Sequence, residues 1–369
     1  LPSQPKIFHG RESELEEIMK IMVQNSPRIA ILGGGGMGKT SLARAVLHHQ
    51  AAVRKFEHRF FVSAEPATNS NELVALIGLY LGLNPGRDFT RHIVQYFTRK
   101  PSCLLILDNL ETAWEPIESR GGIEEFLSQL AGVEHLALII TMRGAERPAR
   151  VRWTRPFLLP LQPLSEDATQ QTFMDITDNL YAIKDIDPLL QFTDNMPLAV
   201  DLIAHLVDYE GLANVLTRWE TGKTSLISVG YDRQSNLDLS IRLSLSSPRL
   251  TMGSRELLSL LSILLDGLSD SELVQSKLPI ADILRCKTAL LATALAYQDN
   301  MKRLRSLMPI REHIQQISLP SQCLVHSLCK HFHSLLDLFQ KYTGEQLRPV
   351  VHQIIQNMGN LQEILQQGL

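Results

Sequence analysis

The octapeptide Gly33-Gly34-Gly35-Gly36-Met37-Gly38-Lys39-Thr40 meets the pattern G-x-x-x-x-G-K-[ST] at every fixed position. These residue types at this spacing suit one chemistry, the cradling of a nucleoside triphosphate with Mg²⁺. Glycines admit positive φ and let backbone N–H groups close around phosphate oxygens. Lys39 is then placed to reach the β- and γ-phosphates, Thr40 to put its hydroxyl on the metal, and Ser41 to follow in the turn into a helix. Leu104-Leu105-Ile106-Leu107-Asp108 is an apolar run ending in a carboxylate, which delivers a Mg²⁺-orienting acid to a strand tip. Next to it stands Asn109, which cannot accept a proton, so Glu111 is the nearest carboxylate able to reach a water. Slow turnover or simple retention of nucleotide is the expectation. Ile139-Ile140-Thr141-Met142-Arg143 sets a guanidinium just past another strand, where it can grip a γ-phosphate bidentately.

These residues need a sheet and helices to hold them. Ile29-Ala30-Ile31-Leu32 reads as a buried strand entering the loop, and Ser41 to Leu47 as the helix leaving it. Strands are expected over His58–Ser63, Cys103–Leu107 and Leu136–Thr141, with a last short one at Phe157–Leu159. Helices are expected over Asn71–Leu81, Arg91–Arg99 and Ile123–Leu130. Buried strands alternating with amphipathic helices imply a parallel sheet covered on both faces, an α/β P-loop NTPase fold. Ligands of such sheets sit at the strands' carboxyl ends, where Gly33, Asp108 and Arg143 would lie.

Past Pro160 and Pro163 the chain turns helical: Ala168–Asn179 behind a Ser165 cap, then Asp185–Phe192 and Leu198–Tyr209. Residues 237–335 read as helices interrupted by a strand–turn–strand over Ala292–Leu307, with Pro309 opening the next helix. That order suggests a winged-helix module. The expected division is a nucleotide-binding domain over 1–160, a helical subdomain over 161–222 and a linker over 223–236. A winged-helix domain over 237–335 and the start of a helical region over 336–369 complete it.

Composition narrows the function classes. At 44% apolar and 20% charged, with no apolar run near the ~20 residues of a membrane span, the 369 residues read as a non-membrane globular chain. The chain opens on Leu1, which reads as an excised region of a longer protein. Cys103, Cys286, Cys323 and Cys329 form no C-x-x-C pair and read as reduced, buried thiols of a cytoplasmic protein. With His326, His331 and His333 the last two fit no common zinc spacing. Residues 1–160 hold 19 Lys/Arg against 16 Asp/Glu, residues 161–222 hold 2 against 11, and residues 223–369 hold 15 against 12. The acidic middle argues against nucleic acid there. The run Arg143, Arg147, Arg150, Arg152, Arg155 is a solvated charged loop, or it faces phosphate or docks the acidic segment.

The phosphate loop, Leu-Leu-Ile-Leu-Asp-Asn, Ile-Ile-Thr-Met-Arg and Asn195-Met196-Pro197-Leu198-Ala199 occur in an order that resembles the NB-ARC/STAND class of signalling NTPases, most of all its fungal NLR-like members. Phe8-His9-Gly10-Arg11-Glu12 resembles the class's opening segment beside the adenine, so Phe8, Gly10 and Arg11 are implied nucleotide contacts. Pro197 matches the proline that reaches the base from the helical subdomain. The resemblance implies an ATP/ADP switch: exchange and slow hydrolysis control domain opening and self-association in the ATP state. It implies an N-terminal effector and a C-terminal sensor outside this chain. Three departures stand out. Asn109 stands where the class commonly has a second acid, Asn195 replaces a glycine, and the post-hairpin segment Leu307-Met308-Pro309 lacks the histidine that binds the ADP β-phosphate in the class, with His326 a match only by spelling. The competing readings are a P-loop small-molecule kinase or ligase, for which no catalytic base is visible, and a DNA-binding regulator using Lys302, Arg303 and Arg305.

Overall fold

In the computed structural model the chain forms two compact units, Leu1–Leu190 with Asn195–Leu212, and Gln191–Asp194 with Ala213–Leu369. The described residues are 1–84, 88–222, 241–242, 244–299 and 301–367; the expected linker over 223–236 lies outside them.

The first unit is built on four parallel strands, β1 (Arg28–Gly33), β2 (His58–Ser63), β3 (Cys103–Asp108) and β4 (Leu136–Arg143), in the order β1-β4-β3-β2. Apolar residues fill both alternating sets in the two central strands. Leu105, Leu107, Leu138 and Ile140 pack into a core with Leu73, Ile77, Phe97 and Phe126, while Leu104, Ile106 and Ile139 are equally buried. A strand buried through both sets has both faces covered, as a parallel sheet requires. The covering helices include α1 (Glu12–Met22), α2 (Lys39–His48), α3 (Gln50–Lys55), α4 (Ser70–Tyr80), α5 (Phe89–Thr98), the short α6 (Glu111–Trp114) and α7 (Ile117–Ala131). Helices α8 (Glu166–Ile176), α9 (Ile183–Thr193) and α10 (Pro197–Glu210) follow.

Two expectations shift here. Phe157–Leu159 forms no strand; Pro156 and Pro160 bracket it and supply no N–H. The edge beside β1 is instead met by Leu161, whose amide donates to Leu32 O at 2.8 Å. Helix α7 begins six residues before the expected Ile123, across Gly121-Gly122. A Cβ at Gly122 would stand 2.6 Å from Ser70 Oγ, so the bare backbone is what admits the start of α4.

In the second unit, helices Met252–Ile263, Asp270–Gln275 and Ile283–Ala292 precede an antiparallel pair, β5 (Tyr297–Gln298) and β6 (Leu304–Arg305), and helix Met308–Ile317 follows. The hairpin is shorter than the sequence suggests: the third helix absorbs Ala292, and Ala294 takes φ +59°. Arg303, 4% exposed, bonds Asp266 O (2.8 Å), Gly267 O (2.8 Å) and Asn357 Oδ1 (2.7 Å), and pairs with Glu272 at 3.2 Å. Asn357 Nδ2 also donates to Glu272 Oε1 at 2.5 Å, so the hairpin, Asp270–Gln275 and the C-terminal helices share one buried polar network.

Candidate functional site

The strand register fixes where the candidate residues stand. Gly33 pairs with Arg143, and Ser63 with Asp108, so the ends of β1, β4 and β3 present Gly33, Arg143 and Asp108 along one carboxyl edge. The loop leaves this edge and runs into α2, with Gly36 at φ +75° and Gly38 at φ +80° as the αL position before Lys39. Both glycines sit where an L side chain is strained.

Lys39 is 7% exposed and donates to Gly33 O (3.1 Å) and Gly34 O (2.7 Å). Among the described residues its partners are carbonyls of its own loop, and no carboxylate there is within ion-pair distance. Burial pushes its pKa down to about 8, with Arg143 pushing the same way and Glu111 and Asp108 opposing. A buried ammonium hydrogen-bonded to carbonyls of its own loop is a fitting receptor for an anion.

Thr40 Oγ1 stands 3.0 Å from each oxygen of Asp108. Thr141 Oγ1 donates to Asp108 Oδ1 at 2.6 Å and accepts from the amide of Asn109 at 3.0 Å. Burial raises the Asp108 carboxyl above its usual range despite both hydroxyl bonds, and Glu111 adds to the rise. Asn109 takes φ +58°, which its side chain tolerates better than most. Thr141 is fully buried and was not singled out from the sequence, because a threonine inside an Ile-Ile-Thr-Met strand reads as a β-branched strand residue.

Glu111 and Arg143 are brought together: Nε donates to Oε1 at 3.1 Å, with side-chain exposures of 12% and 16%. Glu111 Oε2 is buried and accepts no hydrogen bond. The candidate acid and the candidate γ-phosphate arginine thus hold each other.

The opening segment reaches the loop through Arg11. Its guanidinium donates to Met37 O (3.2 Å) and Gln162 O (2.5 Å) and pairs with Glu14 at 2.8 Å. Gly10 has φ +73°, and a Cβ there would lie 2.5 Å from Ala168 Cβ, so the segment runs close along α8. Phe8 is half-buried ahead of α1. Pro197 is the first residue of α10, where its missing N–H costs nothing. The loop contact there is made by its neighbours: Leu198 N donates to Gly36 O at 3.1 Å, and a Cβ on Gly36 would meet Met196 Cε at 2.7 Å. Neither contact had a signal in the sequence beyond proximity to Pro197.

Of the arginine run, only Arg143 stands at the strand edge. Arg147 bonds Leu158 O and lies over the Phe157 ring, and Arg155 lies over the same ring. Arg150 pairs with Glu125 (3.3 Å) and Glu124 (3.9 Å) of α7, not with the acidic segment that follows. The thiols also depart from expectation: Cys103 and Cys286 are buried, but Cys323 is exposed and Cys329 half-buried, 3.4 Å from His333 Nδ1.

The residues fit a Mg²⁺-nucleotide. The loop offers an anion-seeking lysine and glycine backbone, and Thr40 with Asp108 offers the hard oxygens that Mg²⁺ takes in small number. Residues 2–154 match the family model nSTAND1, novel STAND NTPase 1. By this match, which covers less than half of the chain, they are similar to the STAND class of P-loop NTPases. The chain is also similar to plant proteins, 30% identical over 81 residues to the putative disease resistance protein RGA4 and to the disease resistance protein RGA2 of Solanum bulbocastanum. The match takes in 20% of this chain and 8% of either relative, so the chain spans a small part of their length. A Walker-type ATPase of Pyrococcus abyssi shares the fold at TM-score 0.58 and 12% identity, over 86% of this chain and 99% of that one. Among the described residues, no helix is long and apolar enough to cross a membrane.

Proposed function

We propose that the chain is an ATP/ADP-operated switch whose nucleotide governs domain opening and self-association, and that hydrolysis is slow. The observation that carries this reading is the bond from Leu198 N to Gly36 O, backed by Met196 and Leu198 packed against Gly36. The chain crosses from the second compact unit to the first between Asp194 and Asn195, a few residues before that bond. That crossing is one of three in the chain, and a ligand that reshapes the phosphate loop acts on the start of α10 just after it. Only contacts that differ between ADP and ATP can move such an equilibrium.

In this reading Lys39 turns from its own carbonyls to the phosphates, and backbone N–H groups of Gly34 to Ser41 line them. Thr40 and Asp108 hold Mg²⁺, which supplies charge neutralisation at the phosphate oxygens when bound. Thr141 keeps Asp108 aimed, Arg143 distinguishes the γ-phosphate, and Arg11 with Phe8, Gly10 and Pro197 frames the base side. Two features support slow hydrolysis. Asn109 offers no base beside the metal acid, and in the absence of a γ-phosphate one oxygen of Glu111 is engaged by Arg143. The second unit's helices, hairpin and following helix are read as a winged-helix domain. Its post-hairpin helix begins at Met308, whose amide donates to Asp194 Oδ2 at 3.0 Å. Signalling in the cytoplasm, with an effector and a sensor flanking these residues, completes the reading.

Light scattering on the chain loaded with ADP or with a non-hydrolysable ATP analogue tests it. The expected result is a larger assembly with the analogue, lost in Lys39→Ala; the same mass in both nucleotides contradicts it.

A further inference from the structure

The Glu111–Arg143 pair stands between two assigned roles and fits neither alone. An acid that positions water needs a free oxygen near the phosphate, and an arginine that reads phosphate needs its guanidinium available. Here one N–H of Arg143 is given to one oxygen of Glu111 at 3.1 Å, and both side chains are mostly out of water. In so dry a site the attraction is screened less than at a surface. Glu111 is also the more fixed of the two. It opens α6, where Glu115 N returns to Glu111 O at 2.8 Å and Ala113 and Trp114 are buried beneath it. Trp114 is further covered by the Arg120 guanidinium, 4.5 Å from its ring. Arg143, at the last position of β4 beside Gly33, carries the longer and more adaptable side chain.

We infer that Glu111 is an internal competitor for the Arg143 guanidinium, and that it sets how strongly the site prefers ATP over ADP. The inference rests on the nucleotide-site reading above. ADP leaves the pair intact. A γ-phosphate must draw Arg143 away from Glu111, so part of its binding energy is spent on separating the pair, and the site favours ATP less than the arginine alone would. The carboxylate released by that separation is the one able to face a water. Glu111 is thus a specificity residue in the ground state, and its availability follows the γ-phosphate.

The test is calorimetric titration of the nucleotide-free chain with Mg²⁺-ADP and with a non-hydrolysable Mg²⁺-ATP analogue, reading the ratio of the two affinities. Glu111→Gln keeps the shape and removes the charge, so the ratio should rise about tenfold, the scale of one charge-assisted bond. Glu111→Asp shortens the reach and should move the ratio the same way by less, which keeps the inference testable if the amide disturbs folding. Arg143→Ala should lower the ratio toward one, and the double variant should match Arg143→Ala, since a competitor without its prize does nothing. A ratio unchanged or lowered in both Glu111 variants, with Arg143→Ala still lowering it, overturns the inference and leaves the nucleotide site standing. Lys39→Ala separates the two questions: it should weaken both ligands together, and undiminished binding there overturns the site reading itself.

Discussion

The contact between the phosphate loop and the start of α10 can be isolated with two glycine-to-alanine changes. Gly36 and Gly38 both have positive φ, +75° and +80°. An alanine at either pays the left-handed penalty of roughly 1–2 kcal/mol. They differ in what the added methyl meets. At Gly38 nothing lies within 4 Å, whereas at Gly36 the methyl would stand 2.7 Å from Met196 Cε and 2.9 Å from Leu198 Cβ. Met196 Cε is the end of a flexible chain and can swing aside. Leu198 Cβ cannot retreat without lengthening the 3.1 Å bond from its own amide to Gly36 O. Overpacking of this kind costs about 1–3 kcal/mol, and loss of the bond about 1 kcal/mol more. Gly36→Ala is therefore expected to cost about 3–6 kcal/mol and Gly38→Ala about 1–2 kcal/mol. Urea unfolding of the nucleotide-free chain gives the totals, and hydrogen exchange of peptides over 195–200 gives the local effect. Equal losses in the two variants, or unchanged protection over 195–200 in Gly36→Ala, would refute the idea that this packing joins the loop to α10.

Thr141→Val keeps the shape of a fully buried residue but removes its bonds to Asp108 Oδ1 and Asn109 N. A loss of about 1–3 kcal/mol in chemical unfolding is expected, and less than 0.5 kcal/mol would count against the role given to Thr141. Glu272 is held below the usual carboxylate range: burial alone would raise it, but the Ser269 amide, Asn357 and Arg303 outweigh that. Its contribution is present above the unfolded value near ~4.3 and fades as pH falls toward the lower folded value. Glu272→Gln should flatten the stability–pH slope below that point, and an identical slope contradicts the assignment. Lys39 sits at about 8 without ligand, below the ordinary lysine value, so the unfolded chain holds more protons and stability rises as pH climbs from about 8 toward 10.4. Phosphate restores the charge, so nucleotide binding at pH ~8.5 should take up protons, seen as a buffer-dependent calorimetric heat; equal heats in two buffers would refute it.

Much of the fold was legible because the chain states its period plainly. The apolar runs into Gly33, Asp108 and Met142 are buried strands, and a glycine-rich loop ending in Lys-Thr has few other uses. Phe157–Leu159 misled because an apolar triplet resembles a strand until the flanking prolines remove its donors. The hairpin misled because Ala292 to Ala296 suits a helix end as well as a strand. Within the site, the sequence supplied individual residues but not their partners. Arg11 and Met37 O are 26 positions apart, and Glu111 and Arg143 are 32 apart. No local pattern encodes such pairings, since they depend on strand order and on which loop closes over which. Leu198 was visible only as the neighbour of Pro197, and its amide bond to Gly36 follows from how α10 begins.

The loop at Lys39 is expected to hold an adenine nucleotide that the protein retains rather than consumes quickly. Denaturing the purified chain and separating the released nucleotide by chromatography tests this most directly. Close to one ADP or ATP per chain is expected, and little from Lys39→Ala. A chain that releases none, and binds neither ATP nor ADP when titrated with Mg²⁺, would contradict it.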